Sequence, residues 1–183
     1  MCVPCEAGTS KERGSAQCVL CPVGTYSFAQ ASTCTSCGPN ERSEIGSTSP
    51  EACNCLPGFG ANNANVSNTS ICEMCANGTF SEGGDSNMQR PPCTPCPANK
   101  TSSQGSTERA ACKCIPGHGD PHNNANEDAS CTPCLNGFYA PGGNNTACYS
   151  CGFGAITDPP QAAHAFSCCQ CDSNRGLIVT DPY

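Results

Sequence analysis

Cysteines recur at short, regular intervals along this chain, and their spacing constrains the fold more than any other feature of the sequence. There are 21 of them in 183 residues, most in Cys-x-x-Cys or Cys-x-Cys pairs. Leu, Ile, Val and Phe together number only 20, and Trp is absent. Because so few large apolar side chains can be buried, an ordinary hydrophobic core is excluded, and cross-links between cysteines must replace it.

A block of 42 residues is duplicated with a period of 59. The six cysteines from Cys34 to Cys75 recur between Cys93 and Cys134, and 17 aligned positions are identical without a gap. Looser copies surround this block. The spacing predicts a remnant of a preceding repeat at 1–17, repeats at 18–71 and 72–130, an irregular repeat at 131–171, and a tail at 172–183.

If each cysteine closes a loop with its nearest partner, every loop encloses 12 to 17 residues. The bridges of this hypothesis are Cys5–Cys18, Cys21–Cys34, Cys37–Cys53, Cys55–Cys72, Cys75–Cys93, Cys96–Cys112, Cys114–Cys131 and Cys134–Cys148. In the chain-entropy model each loop restricts the unfolded chain by roughly 3 kcal/mol. Other pairings remain combinatorially open.

Five cysteines are left over by this hypothesis. Cys151 is assigned to Cys168 or Cys169, and the pairing among Cys168, Cys169 and Cys171 stays open. Cys2 is the orphan, which fits a bridge to a residue upstream or to another molecule.

Cysteine usage and short motifs indicate the compartment. This many thiols persist as disulfides only in an oxidising environment. N-glycosylation sequons in turn-like sequence begin at Asn65, Asn68, Asn77, Asn99 and Asn144. We expect an extracellular or cell-surface chain that carries N-glycans, with the lumen of an oxidising organelle as the alternative.

Charge and hydropathy exclude several classes of partner. The net charge of −7 offers no basic surface for nucleic acid. No apolar run reaches the roughly 18 residues that span a bilayer. Met1 is followed at once by Cys2 without an apolar signal segment, so we expect a piece of a longer precursor or a mature chain.

The sequence supports disulfide bonds more strongly than a catalytic or metal-binding site. Two Cys-x-x-Cys pairs are typical of zinc sites, and His118, Asp120 and His122 are metal-ligand types within five residues. Oxygen ligands for calcium precede Cys131 at Asn123, Asn124, Asn126, Glu127 and Asp128. The twin segment 59–63 has no His, and the other repeat copy lacks the two acids that precede Cys131. No Ser-His-Asp arrangement is present. We predict no enzyme activity, no cofactor and no metal.

One stretch of the first full repeat resembles a known family. Cys21-Pro22-Val23-Gly24-Thr25-Tyr26-Ser27 leads into Cys34-x-x-Cys37, and Cys53-x-Cys55 is followed by Leu56-Pro57-Gly58-Phe59-Gly60. The pattern resembles the cysteine-rich repeats of ephrin receptors, in a wider set with tumour necrosis factor receptor modules and EGF-like modules. The likeness covers roughly residues 2–151 and not the tail from Gly152 to Tyr183. It implies stiff extracellular rods that act as spacers or as surfaces for protein ligands.

We therefore expect a small disulfide-rich fold, an elongated array of irregular modules with short β-hairpins and little helix. Short strands are predicted over Gly24-Thr25-Tyr26-Ser27 and Gly78-Thr79-Phe80-Ser81, after turns at Val23-Gly24 and Asn77-Gly78, and a turn or two of helix around 161–166. One aromatic residue per loop, such as Tyr26, Phe80 or Tyr139, is predicted to cover a disulfide as a local core.

The predicted function is that of a non-catalytic extracellular structural or protein-interaction segment, a disulfide-stapled rod within a larger surface or matrix assembly. Its partners would be proteins of that assembly or copies of itself. One alternative is a receptor ectodomain that binds a protein ligand. Another is an accessory subunit on the luminal or outer face of a membrane complex, anchored by the tail.

The predicted elongation can be measured by small-angle scattering. Since each module of a repeat array contacts mainly its neighbours, the radius of gyration should clearly exceed the value of about 16 Å for a compact domain of this length. A measured radius close to the compact value would contradict the rod.

Overall fold

The computed structural model describes residues 3–11, 14–61, 71–85, 90–119, 130–143, 147–152, 155–157 and 169–171. These residues form nine two-stranded antiparallel sheets, and each sheet pairs two strands that follow one another in the chain. The strands are β1 Thr9–Ser10, β2 Val19–Leu20, β3 Thr25–Tyr26, β4 Thr35–Ser36, β5 Glu41–Arg42, β6 Asn54–Cys55, β7 Phe59–Ala61, β8 Cys72–Met74, β9 Thr79–Phe80, β10 Thr94–Pro95, β11 Lys100–Thr101, β12 Lys113–Cys114, β13 His118–Gly119, β14 Thr132–Pro133, β15 Phe138–Tyr139, β16 Tyr149–Ser150, β17 Ala155–Thr157 and β18 Cys169–Cys171.

The two short strands predicted at 24–27 and 78–81 are confirmed, although β3 and β9 each occupy only the two middle residues of these segments. The turns before them explain their position. The Thr25 amide donates to the carbonyl oxygen of Pro22 at 3.1 Å, and the Thr79 amide donates to that of Ala76 at 3.1 Å. Gly24 in the first turn has a φ of 81°. Because glycine adopts this left-handed conformation without a Cβ clash, the turn delivers Thr and an aromatic residue directly into a strand.

Helix is scarce in the described residues, as predicted. Two single-turn 3₁₀ helices lie at Pro50–Ala52 and Arg109–Ala111, at equivalent positions of the duplicated block just before Cys53 and Cys112. Pro50 favours the first helical turn because its missing N–H is not needed there. The sequence did not reveal these turns, and the helix predicted around 161–166 lies outside the described residues.

Sulfur atoms, rather than rings, fill the interior. Of the twelve buried apolar residues in the described part of the chain, ten are cysteines, and the others are Phe80 and Ala140. The expectation of one aromatic core residue per loop is therefore correct only at Phe80. Tyr26 and Tyr139 are only half-buried, although all three rings lie on two-residue strands, so strand length alone does not decide which ring is shielded.

Backbone hydrogen bonds tie several hairpins to the next one along the chain. The Gly24 amide donates to the Ser43 carbonyl at 2.9 Å, and the Gly58 amide donates to the Ser81 carbonyl at 2.8 Å. Cysteine amides form a second series within single hairpins, in which Cys37 after β4 donates to the Gly24 carbonyl before β3 at 2.9 Å. This repeated bonding satisfies backbone groups that strands of two or three residues leave unpaired.

A buried ion pair holds the longest disulfide loop, which runs from Cys75 to Cys93. Arg90 Nε lies 2.5 Å from Glu41 Oε1, and both side chains are largely shielded, with exposures of 16% and 6%. The second carboxylate oxygen accepts the Gly38 amide at 3.1 Å. In the second repeat copy Lys100 occupies the position of Glu41, so this ion pair belongs to the first copy.

The chain divides into two compact units. The first comprises 1–95 and 103–109, and the second comprises 96–102 and 110–183. The repeat boundaries drawn from cysteine spacing are a separate division and stay a prediction.

Close approach of the backbone at Gly58 can be tested against a matched glycine. Gly58 and Gly24 share a φ of 81°, but a Cβ at Gly58 would lie 2.5 Å from the Gly105 carbonyl oxygen, whereas one at Gly24 meets nothing within 4 Å. Gly24→Ala should lower the free energy of unfolding by about 1–2 kcal/mol, the cost of the left-handed backbone. Gly58→Ala should lose about 1–3 kcal/mol more through overpacking. Urea unfolding with intact disulfides measures both, and equal losses would contradict the close approach.

Charge removal at Glu41 should be costly. Glu41→Gln leaves the shielded Arg90 cation without its counter-charge, and we expect a loss of about 2–3 kcal/mol in the free energy of unfolding in urea. The control is Glu44→Gln, because Glu44 pairs with Arg42 at 3.7 Å on the exposed surface, where a pair contributes about 0–1 kcal/mol. Similar losses in the two variants would show that the Arg90–Glu41 pair does not hold the loop.

Candidate functional site

Disulfides account for most of the residues singled out in the sequence. Eight bridges join the same cysteines as the nearest-partner hypothesis, with Cα–Cα distances of 5.5 to 5.8 Å. Cys151 is also disulfide-bonded. Of its two expected partners, Cys168 lies outside the described residues and Cys169 begins β18. Cys2 also lies outside the described residues. In each of the first eight hairpins, the bridge joins a cysteine that precedes the first strand to a cysteine at or immediately before the start of the second strand.

Disulfide bonding limits the chemistry that these cysteines can perform. Zinc binding and thiol redox catalysis both require a thiolate. Seventeen cysteines, from Cys5 to Cys151, are disulfide-bonded. Within the described ranges no group of three His, Cys, Asp or Glu side chains is placed to hold a metal ion. The structure therefore gives the Cys-x-x-Cys pairs a cross-linking role.

The histidine-containing segment is described only at its start. His118 lies in β13, with its Nδ1 atom 3.2 Å from the Pro116 carbonyl oxygen. Asp120 and His122 lie outside the described residues, and so do the calcium-ligand candidates from Asn123 to Asp128.

A row of buried serines was missed by the sequence analysis. Each of these serines follows the second cysteine of a Cys-x-x-Cys pair by six residues, and all have exposures of 6% or less: Ser27, Ser43, Ser81 and Ser102. Ser27 Oγ donates to the Thr9 carbonyl at 2.9 Å, and Ser43 Oγ donates to the Thr25 carbonyl at 2.8 Å. The constant spacing was visible in the sequence, but serine is common in exposed loops, so nothing marked these hydroxyls as buried.

Large apolar side chains lie on the surface of the first unit. Val19, Leu20 and Ile45 are each more than half exposed. Leu20 Cδ2 lies 3.0 Å from the position of a Cβ at Gly46, the residue after Ile45, so Leu20 covers the backbone beside Ile45. Exposed apolar side chains that adjoin one another are typical of surfaces that meet other proteins.

A second exposed apolar group belongs to the second unit. The Tyr139 and Tyr149 rings pair across β15 and β16 with centroids 5.6 Å apart. Phe138 and Leu135 on the same hairpin are exposed. Aromatic rings of this kind contribute strongly to protein interfaces.

Two sequon asparagines fall within the described residues. Asn77 is exposed in the turn before β9, and Asn99 is exposed just before β11. Asn65, Asn68 and Asn144 lie outside the described residues. No helix in the described part of the chain is long and apolar enough to cross a membrane.

Comparison with known proteins places this cysteine pattern among large modular proteins. The chain is 32% identical, over 75% of its length, to "Cysteine repeat modular protein B" of Toxoplasma gondii. Over 64% of its length it is 34% identical to "Signal peptide, CUB and EGF-like domain-containing protein 2" of Homo sapiens. Over 92% of its length it is 27% identical to "Sushi, von Willebrand factor type A, EGF and pentraxin domain-containing protein 1" of Rattus norvegicus.

These matches cover 2%, 12% and 5% of the respective relatives, and no family model matches the chain. By their names the relatives are cysteine-repeat and EGF-like-domain proteins, and none of the names describes an enzyme. Together with the eight disulfides, these similarities support a secreted or extracellular protein-interaction module of the cysteine-rich, EGF-like type.

Proposed function

We propose that the chain is a non-catalytic extracellular structural or protein-interaction segment, built from ephrin-receptor-like cysteine-rich repeats within a larger surface or matrix assembly. The observation that carries this proposal is the series of hairpins, of which the first eight each have their own disulfide and several are hydrogen-bonded to the next one. Such a series maintains its shape without a large core. Its surface side chains are therefore available to partners.

The ephrin-receptor-like assignment is proposed on the motif. The Cys-Pro-x-Gly-Thr-Tyr opening at Cys21 forms a turn followed by β3, and the turn at Asn77-Gly78 repeats this geometry. We further propose the repeat boundaries 18–71, 72–130 and 131–171, and a Cys151–Cys168 bridge in the last repeat.

A receptor ectodomain that binds a protein ligand is the second candidate function. It is favoured by the exposed apolar side chains around Leu20 and Ile45, which a spacer does not require. Substituting both with Ser should leave a spacer unaffected and abolish capture of a ligand by an ectodomain.

Disulfide mapping of native material tests the proposed location and architecture together. A non-reducing peptide map should give the eight nearest-partner bridges, because each cysteine pair closes one hairpin. Intact mass before and after glycosidase treatment should show N-glycans. A reduced and alkylated sample is the control for peptide assignment.

Two results of the map would contradict the proposal. Crossed pairs between neighbouring hairpins would overturn the series of closed loops. Free thiols together with a mass excess of zinc would place the chain in a reducing compartment and overturn the extracellular assignment.

A further inference from the structure

Two asparagines occupy an unusual backbone conformation at equivalent places in the duplicated block. Asn40 and Asn99 each have a φ of 60°, a left-handed conformation that Asn tolerates better than most residues. Asn40 Nδ2 donates to the Cys72 carbonyl at 3.0 Å, and Asn99 Nδ2 donates to the Cys131 carbonyl at 2.7 Å. Each bond spans 32 residues, so each amide ties the early part of its duplicated block to a distant cysteine.

The backbone of these asparagines is also engaged. The Asn40 carbonyl accepts the Leu56 amide at 2.9 Å, and the Asn99 carbonyl accepts the Ile115 amide at 3.0 Å. Near Asn99 the Cys131 amide donates to the Ala98 carbonyl at 3.2 Å. The side-chain nitrogen of Asn99 therefore lies where two segments are tied together, although the residue as a whole is exposed.

Asn99 heads a sequon and Asn40 does not, because Arg42 stands where Thr101 follows Asn99. The two asparagines nevertheless make the same bond, so the role of the amide does not depend on the sequon. An N-glycan replaces one hydrogen on Nδ2, the atom that holds Cys131. The sugar would have to share that nitrogen with the bond to the Cys131 carbonyl, for which one N–H remains.

Asn77 is placed differently. It is exposed in a tight turn, where Thr79 Oγ1 donates to the Ala76 carbonyl at 2.8 Å. The turn at Val23 has the same construction, with Thr25 Oγ1 donating to Pro22 at 2.7 Å, and the Val23 side chain is exposed. This turn position faces solvent in both hairpins.

We propose that Asn77 carries an N-glycan, and that Asn99 is a structural fastener that is unglycosylated in the folded secreted protein. This deepens the proposed function and rests on it, because glycosylation requires export. Either the transferase passes over Asn99, or chains modified there fail to fold. The folded product is the same in both cases.

The test uses the full chain, secreted from mammalian cells behind an added cleavable signal peptide. The folded fraction is deglycosylated enzymatically in ¹⁸O-water, and peptide mapping gives the occupancy of each sequon. Occupancy at Asn99 should be about tenfold or more below that at Asn77.

Two variants move a sequon to the equivalent positions. Val23→Asn completes Asn-Gly-Thr in the turn before β3 and should add one glycan. Arg42→Thr completes a sequon headed by Asn40 and should add none to the folded fraction. A glycan on Asn99, or on Asn40 in Arg42→Thr, would overturn the proposal, as would an empty Asn77.

A second pair of variants separates the structural role of the Asn99 amide from the role of the sequon. Thr101→Ala removes the sequon and keeps the amide, so secretion should equal that of the unmodified chain, or exceed it where chains modified at Asn99 fail to fold. Asn99→Ala removes the amide as well, and it should reduce secretion and speed hydrogen exchange around Cys131. Equal behaviour of these two variants would overturn the structural role. Failure of export in the natural setting would instead be seen as free thiols in native material.

Discussion

The disulfide that closes each hairpin is the interaction on which the rest of the structure depends. Isolated two-stranded hairpins are marginal in water, and most strands here have only two residues. Ten of the twelve buried apolar residues in the described part are cysteines, so the cross-links also supply the interior. By restricting the unfolded chain, they offset an entropy that so little apolar burial cannot.

Between the bridges, small polar residues connect the hairpins. Glycine amides, buried serine hydroxyls such as that of Ser43, and the amide of Asn40 all bond to carbonyls of other loops. Since these bonds need only short side chains, the larger apolar residues are not required inside. Their exposure at positions such as Leu20 and Phe138 is consistent with a chain whose surface meets other proteins.

Duplication explains which features belong to the scaffold and which are particular to one copy. The Asn40 and Asn99 bonds recur, as do the 3₁₀ turns before Cys53 and Cys112. The Arg90–Glu41 pair does not recur. A loop that is closed by its own disulfide can therefore gain a stabilising contact or a sequon of its own. The neighbouring hairpins keep their geometry.

Cysteine spacing and turn motifs by themselves determined the disulfide-rich class, the short hairpins at Thr25 and Thr79 and the scarcity of helix, because these depend on local chemistry within a few residues. Tertiary structure alone decided which serines are buried, that Phe80 is shielded while Tyr26 is half-exposed, and that Arg90 reaches Glu41 across 49 residues. Those outcomes depend on which faces of separate hairpins meet. Backbone hydrogen bonds between loops set that arrangement, and no side-chain pattern in the sequence indicates these bonds.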